Sequence, residues 1–295
     1  MIFKSFFLIF LVCFLNFVTT KATLSDPKQN QPEHARVESN SNPHVTRSIE
    51  SWCKELDKEL LSVQHRSCVD QPWQLETYAT SGKPIPYMFW GNPEGKRILV
   101  IGAMHGDEIS AISLVFRWID FLKQTKKDSF LRDRYYLLVP LLNPDGFFAN
   151  PRTRTNLAGV DLNRNFQTSD WSKEAQMYWK RRAGQDPRRF PGHIAGSELE
   201  TKLIQKWIED FKPLLIISTH APYGLVDHDG PIEFPKNSLN PLPLKVLGSF
   251  PGSLGRYAGV ERKIPVVTVE LGAAKKIPPI KTLEDLFVFI MKAKF

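Results

Sequence analysis

Residues 98–108 read ILVIGAMHGDE: an apolar run from Ile98 to Ile101 that passes through Gly102 and Ala103 and ends on His105 and Glu108. Because consecutive rather than alternate positions are apolar, the run suits a strand buried on both faces. Three similar runs follow, YYLLVPLL at 135–142, LLIIS at 214–218 and VVTVEL at 266–271. Between them lie stretches with apolar residues at helical spacing, notably 107–122 and 199–211. In the second, Leu199, Leu203, Trp207 and Phe211 share a face, and Ser197 with Glu200 has the form of a capping box. A last helix is expected after Thr282. This alternation predicts one α/β domain with a mixed, mostly parallel central sheet flanked by helices.

Ligands of open α/β sheets gather at the carboxyl ends of strands, and three of the four runs end beside a residue suited to metal chemistry. His105 and Glu108 follow the first, His220 closes LLIIS-T-H, and Glu270 lies in VVTVELG. His-x-x-Glu at a strand-to-helix turn aims an imidazole and a carboxylate at one point, and a second His completes three ligands. With a fourth position open, that is the pattern of a catalytic zinc site. His-x-x-Glu alone is a weak signal, and a lone His is more often structural than a ligand. His34, His44 and His65 precede the domain and are expected to face solvent; His193 and His228 fall in polar loops and are read as non-ligands.

The order of the remaining motifs sharpens the reading. Asn143-Pro144-Asp145-Gly146 follows the second run, and RTNLAGVDLNRNF (154–166) comes after it. With GAMHGDE, STH and VTVELG, these resemble the M14 zinc metallocarboxypeptidase family, from about Ile98 to Gly272. HGDE, R-x-N-x-x-G-V-D-L-N-R-N-F, GSELET (196–201) and PGS (251–253) are similar to its short bacterial branch, the murein peptide amidases. The resemblance implies one Zn²⁺ held by His105, Glu108 and His220. Glu270 becomes the general base that takes a proton from the attacking water and returns it to the leaving amine. Arg154 would stabilise the oxyanion, while Asn163 and Arg164 would grip the substrate's terminal carboxylate. Ser253 and Arg256, in the loop before Glu270, are the expected readers of the leaving side chain. Pancreatic-type members carry a mobile tyrosine where Leu247, Gly248 and Phe250 stand here, and a serine where this chain has Ala221. No tyrosine role carries over; Tyr257 lies on the other side of the Gly-Ser pair.

The first residues belong to a different category. Lys4 precedes an apolar run from Phe6 to Val18, then come Thr19, Thr20 and Ala22. This reads as a secretory signal peptide over 1–22, too short in its apolar part to span a bilayer, with an uncleaved anchor as the alternative. Residues 23–47, rich in Pro, Asn and Ser, are expected to be a disordered tether. Residues 48–73 should form an N-terminal helical segment behind Ser48, carrying Cys53, and 74–295 the catalytic domain. Within it, Gln74 to Trp90 is expected to form an edge hairpin about Ser81–Pro84. Of 3 cysteines, Cys53 and Cys68 remain after cleavage. Export favours a disulfide between them, provided the chain turns back after Leu61; two free buried thiols are the other reading.

At 295 residues, 42% hydrophobic and 24% charged, the chain is too long and apolar for a peptide hormone or a wholly disordered protein. Its net charge of +8 falls to +6 when Lys4 and Lys21 leave with the leader, which is too weak to argue for a nucleic-acid partner. WKRRAGQDPRRF (179–190) is the one basic cluster, a solvated loop or a weak steering patch for anionic cell-wall fragments. The expected protein is therefore exported, periplasmic or secreted, without stable membrane association once processed. Its expected reaction is cleavage of a C-terminal residue from a murein-derived peptide, at the γ-D-glutamyl-meso-diaminopimelate bond. A general carboxypeptidase on L-peptides, an N-acyl amino acid deacylase and an inactive cell-wall peptide-binding module are the alternatives. The intact N-P-D-G and the leader speak against the deacylase, and Glu270 against the inactive module, since a pure binder has no need for the base.

Overall fold

A computed structural model describes residues 42–236 and 242–295. The expected leader and residues 23–41 of the expected tether lie outside the described residues. Helix α1 spans Pro43–Glu59 and so starts five residues before the expected boundary. Pro43 has no N–H to leave unpaired in the first turn, and the Asn42 side chain accepts from the His44 N–H at 2.9 Å, which together make a helix start. Residues 43–47 are therefore helical rather than tether.

The buried face of α1 is Ile49, Trp52, Cys53 and Leu56. The chain turns after Leu60, and α2 (His65–Val69) carries Cys68 back to Cys53, where the two form a disulfide with Cα atoms 5.6 Å apart. Trp52 meets Trp73 and Phe116 with ring centroids at 5.3 and 6.1 Å. The segment 48–73 thus shares its core with the catalytic part of the chain.

Of the expected hairpin, the backbones of Gln74 and Tyr87 bond both ways and Tyr78 faces Pro84, but only the second arm continues into a strand, β1 (Met88–Gly91). The sheet is completed by β2 (Lys96–Gly102), β3 (Arg134–Val139), β4 (Leu215–His220), β5 (Leu225–Asp229) and β6 (Val266–Glu270). Its order is β1-β3-β2-β4-β6-β5, with β3, β2, β4 and β6 parallel and both edge strands antiparallel. The helices between are α3 (Ile109–Gln124), α4 (Pro144–Phe148), α5 (Gln176–Arg181), α6 (Leu199–Phe211) and α7 (Ile280–Met291).

Val100, Leu138, Ile217 and Val267 pack with Leu114 and Trp118 of α3 and Phe287 of α7. Leu99, Leu137, Ile216 and Val266 pack on the other face with Leu203, Trp207 and Phe211 of α6. Neighbouring strand residues serve opposite cores, which is why the apolar runs are continuous. No helix among the described residues is long and apolar enough to cross a membrane.

Two local expectations fail. The capping box at 197–200 does not form: Glu198 is the residue before α6 and makes no side-chain cap bond. Instead the Ser197 hydroxyl bonds the Glu198 carboxylate at 2.5 Å, and Glu200 is buried, accepting from Asn156 Nδ2 at 3.4 Å. His228 belongs to β5 rather than to a loop.

Candidate active site

Parallel pairing brings the carboxyl ends of β2, β4 and β6 side by side, with His220 directly opposite Glu270 and Gly102 opposite Thr219. His105 and Glu108 occupy the turn between β2 and α3. The two histidines and Glu108 each offer a ligand atom within 4.8 Å of the others, and all three residues are buried. Glu108 Oε1 lies 2.8 Å from His105 Nδ1, and its Oε2 lies 2.9 Å from His220 Nδ1.

The outer nitrogens are held from behind. His105 Nε2 lies 3.2 Å from the Asp161 carboxylate, which accepts only, so the Nε2–H donates and the Nδ1 lone pair faces the trio. His220 Nε2 lies 2.9 Å from the Ser218 hydroxyl, leaving Nδ1 turned inward. Two oriented imidazoles and a carboxylate, each backed by a second polar group, fit a zinc ion with an open position.

Asp161 organises more than His105. Buried completely, it also accepts from Arg154 Nε at 2.9 Å and from the Asn163 backbone N–H at 3.0 Å. Burial alone would raise its pKa, but the Arg154 guanidinium holds it well below the usual carboxylate range. Arg154 in turn points NH1 at the trio, 3.1 Å from His105 Nδ1 and 3.4 Å from Glu108 Oε1.

The trio opens onto a cleft of about 690 Å³. Glu270, Arg154, Asn163, Arg164 and Ser253 all line it. Glu270 is 8% exposed, and its Oε2 meets no donor among the described residues. Burial raises its pKa, the nearby Glu108 adds to the rise, and His220 opposes it. Arg164 is 9% exposed, lies over the Phe250 ring at 4.5 Å, and has a buried Nε without a partner. Its NH1 donates only to the Asn163 carbonyl, and among the described residues no carboxylate pairs with it. Burial accordingly lowers its pKa. A cation so placed lacks an anion, and a substrate carboxylate would supply one.

The loop from Phe250 to Leu254 is pinned to this segment. Gly252 has φ +75°, and a Cβ there would strike the Arg164 carbonyl, so only glycine fits. Asn163 Oδ1 accepts from the Leu254 N–H at 2.9 Å. Ser253 spends its hydroxyl oxygen on the N–H groups of Phe250 and Arg256, at 3.2 and 3.1 Å.

Arg256 is a correction. It is not among the residues that line the cleft; its guanidinium pairs with Asp170 at 3.1 Å and Glu261 at 3.7 Å. Tyr257 is a core residue, with its ring 5.5 Å from Phe166.

Sequence reasoning assigned no role to Asp161, Ser218, Asp227 or Asp229, the last three of which line the cleft. Asp161 was visible inside DLNRNF as the only acid beside two candidate binding residues. Ser218 and Asp227 carried no signal without the strand register. From the basic cluster, Arg188 reaches the rim and pairs with Asp107 at 2.7 Å.

The family model for zinc carboxypeptidases, peptidase M14, matches residues 71–226. Murein peptide amidase A of Escherichia coli K12 is 28% identical over 230 residues, covering 75% of this chain and 88% of that protein. The crystal structure of a murein-tripeptide amidase from Escherichia coli O157 superposes with a TM-score of 0.52 at 24% identity, over 74% of this chain and 91% of that one. Bovine thrombin-activatable fibrinolysis inhibitor superposes with a TM-score of 0.56 at 14% identity, over 83% and 93%. At these identities the two superpositions speak for the fold.

Proposed function

The chain belongs to the zinc carboxypeptidase family, and from that premise we propose that it is an exported, zinc-dependent amidohydrolase that releases the C-terminal residue of murein peptides by cleaving the γ-D-glutamyl-meso-diaminopimelate bond. One observation carries the reading: the His105–Glu108–His220 trio, Glu270 with an oxygen that meets no donor, and the Arg164 cation, which no carboxylate among the described residues pairs, line one cleft. The likeness to murein peptide amidase A over three quarters of the chain supports the choice of substrate. Export rests on the apolar run 6–18 behind Lys4 and on the Cys53–Cys68 disulfide, a bond at home in oxidising compartments.

Zinc bound by His105, Glu108 and His220 supplies Lewis acidity at the scissile carbonyl and the attacking water. Arg164 binds the carboxylate of the leaving residue, which places the adjacent amide over the trio; Asn163 shapes this subsite by holding Leu254. Glu270 Oε2 accepts a proton from water as its oxygen attacks the carbonyl carbon. Arg154, fixed by Asp161, faces the negative charge that gathers on the carbonyl oxygen. Glu270 then gives its proton to the amide nitrogen as the C–N bond breaks, yielding a free amino acid and a new carboxylate.

The test is incubation of the purified protein with L-Ala-γ-D-Glu-meso-diaminopimelate and with hippuryl-capped L-amino acids, with products identified by mass. Release of diaminopimelate is expected. Cleavage of the hippuryl substrates alone would make the protein a general metallocarboxypeptidase.

A further inference from the structure

Below the metal site, the same face of the sheet turns acidic. His220, Glu270 and Leu225 stand side by side across β4, β6 and β5. Two residues further along each strand, Ser218, Thr268 and Asp227 form the next row, and Asp229 follows one step beyond, opposite Val266. Residues two apart on a strand share a face, and all of these line the cleft.

Asp227 is 6% exposed, and the N–H groups of His228 and Leu247 fix its Oδ1 at 2.8 and 2.9 Å. Asp229 has neither a hydrogen-bond donor nor an ion-pair partner among the described residues. Its carboxylate lies over Gly255, where any Cβ would strike Oδ2; glycine at 255 is what lets Asp229 border the cavity. Burial, with Asp227 beside it, pushes the Asp229 carboxyl up to about 6. Exposed Lys245 lines the same cleft, also without an ion-pair partner among the described residues. The cleft thus holds the buried cation of Arg164 and a pair of carboxylates, and among the described residues neither has an ion-pair partner.

We propose that Asp229, backed by Asp227, accepts the ammonium group at the far end of the leaving residue's side chain, and that Lys245 meets a carboxylate beside that ammonium. This rests on the amidase reading above. Two strand residues advance about 7 Å, which sets Asp227 about 7 Å and Asp229 about 13 Å beyond the row of His220 and Glu270. From its scissile nitrogen to its distal nitrogen an extended diamino acid of seven carbons spans roughly 7–8 Å at bond lengths near 1.5 Å. Held by Arg164 next to the metal site, such a residue brings its distal nitrogen level with Asp227 and about one strand step short of the Asp229 backbone, a gap that the aspartate side chain and one hydrogen bond can span. A side chain without the ammonium leaves buried Asp227 and half-buried Asp229 without a cation, which is how a polar pocket rejects its absence. The reader of the side chain is accordingly the inner face of β5, not the expected pair Ser253 and Arg256.

The experiment compares kcat/KM for L-Ala-γ-D-Glu peptides ending in meso-diaminopimelate, L-lysine, or L-2-aminopimelate, which lacks only the distal ammonium. A hippuryl series with the same three ends runs in parallel. Wild type is expected to favour diaminopimelate over 2-aminopimelate by about 100-fold, and D229N to shrink that ratio to about threefold. K245Q is expected to shrink the ratio of diaminopimelate to lysine instead. An undiminished ratio in D229N overturns the proposal. D227N is the second variant should D229N not fold, and calorimetric binding of the free amino acids reads the same ratios without turnover. Cleavage confined to the hippuryl series would refute the murein reading while the D229N ratio still judged the pocket.

Discussion

Glu270 and Glu200 are both buried carboxylates with one oxygen that meets no donor, and their surroundings give them opposite uses. Glu270 borders the cleft beside the trio, so its free oxygen is available to a water. Glu270→Gln should keep about one zinc per chain yet lower kcat by about 10³, the scale of a lost general base. Elemental analysis alongside steady-state kinetics checks this, and full activity would remove Glu270 from the mechanism. Glu200 lies within the fold against Asn156, and burial pushes its carboxyl up from 4.5 to about 7, with Asp145 and Glu198 adding to the rise. Because the folded value is the higher one, Glu200 is stability-neutral below about pH 4.5. Its ionisation in the unfolded chain then erodes stability as pH climbs to about 7, by about 3 kcal/mol in all at 1.36 kcal/mol per unit. Glu200→Gln escapes that loss, so its melting temperature relative to wild type should rise across this window by several degrees and level off above it. A difference that is flat with pH would place an ordinary pKa at Glu200. The capping-box reading missed this residue because neighbours along the chain suggested a local bond, whereas its partner, Asn156, is 44 residues away.

Strands buried on both faces were legible because continuous apolar runs admit few other readings, and β2, β3, β4 and β6 fall within a few residues of the expected positions. The edge strand β5 was not. LVDHD carries three polar residues out of five, and only pairing with β6 reveals that Asp227 and Asp229 face the cleft while His228 turns away to meet Phe234 at 5.5 Å. The site itself was legible to the extent that it sits on those four strands and their turns. Arg256 was misplaced because loop position says nothing about direction, and its guanidinium is taken up by Asp170 and Glu261. The α1–α2 segment shows the same limit from another side: the cysteines were visible, but their approach depended on a turn after Leu60 that the sequence only permitted. Their separation of 15 residues sets the expected contribution of the disulfide, about 3 kcal/mol from the smaller entropy of the cross-linked unfolded chain. Replacing both cysteines by alanine should lower the free energy of unfolding in urea by about that amount. Two thiols alkylated in the folded protein without reductant would show instead that the bond does not form.

At the scale of the molecule, the parallel arrangement does the gathering. His105 and Glu108 come from the chain just after β2 and His220 from the end of β4, 115 residues from His105, and only because neighbouring strands run the same way do these ends meet. A ligand held by all three therefore binds the folded chain and has no equivalent site in the unfolded one. Folding and metal binding are then linked: with free zinc at 1,000 times its dissociation constant, the folded state gains about 4 kcal/mol. A domain of this size moves its melting temperature by about 2–4 °C per kcal/mol, so stripping zinc with a chelator should lower it by roughly 10 °C. His220→Ala should lose the metal, the activity and this shift together, because one imidazole and one carboxylate remain. Glu270→Gln should retain the shift, because Glu270 stands beside the trio without belonging to it. The measurement is calorimetric unfolding of all three proteins with excess zinc and with excess chelator. A wild-type transition indifferent to the chelator, or a His220→Ala protein that still shifts, would take the ion away from these three residues; a shift lost in Glu270→Gln would make Glu270 a ligand.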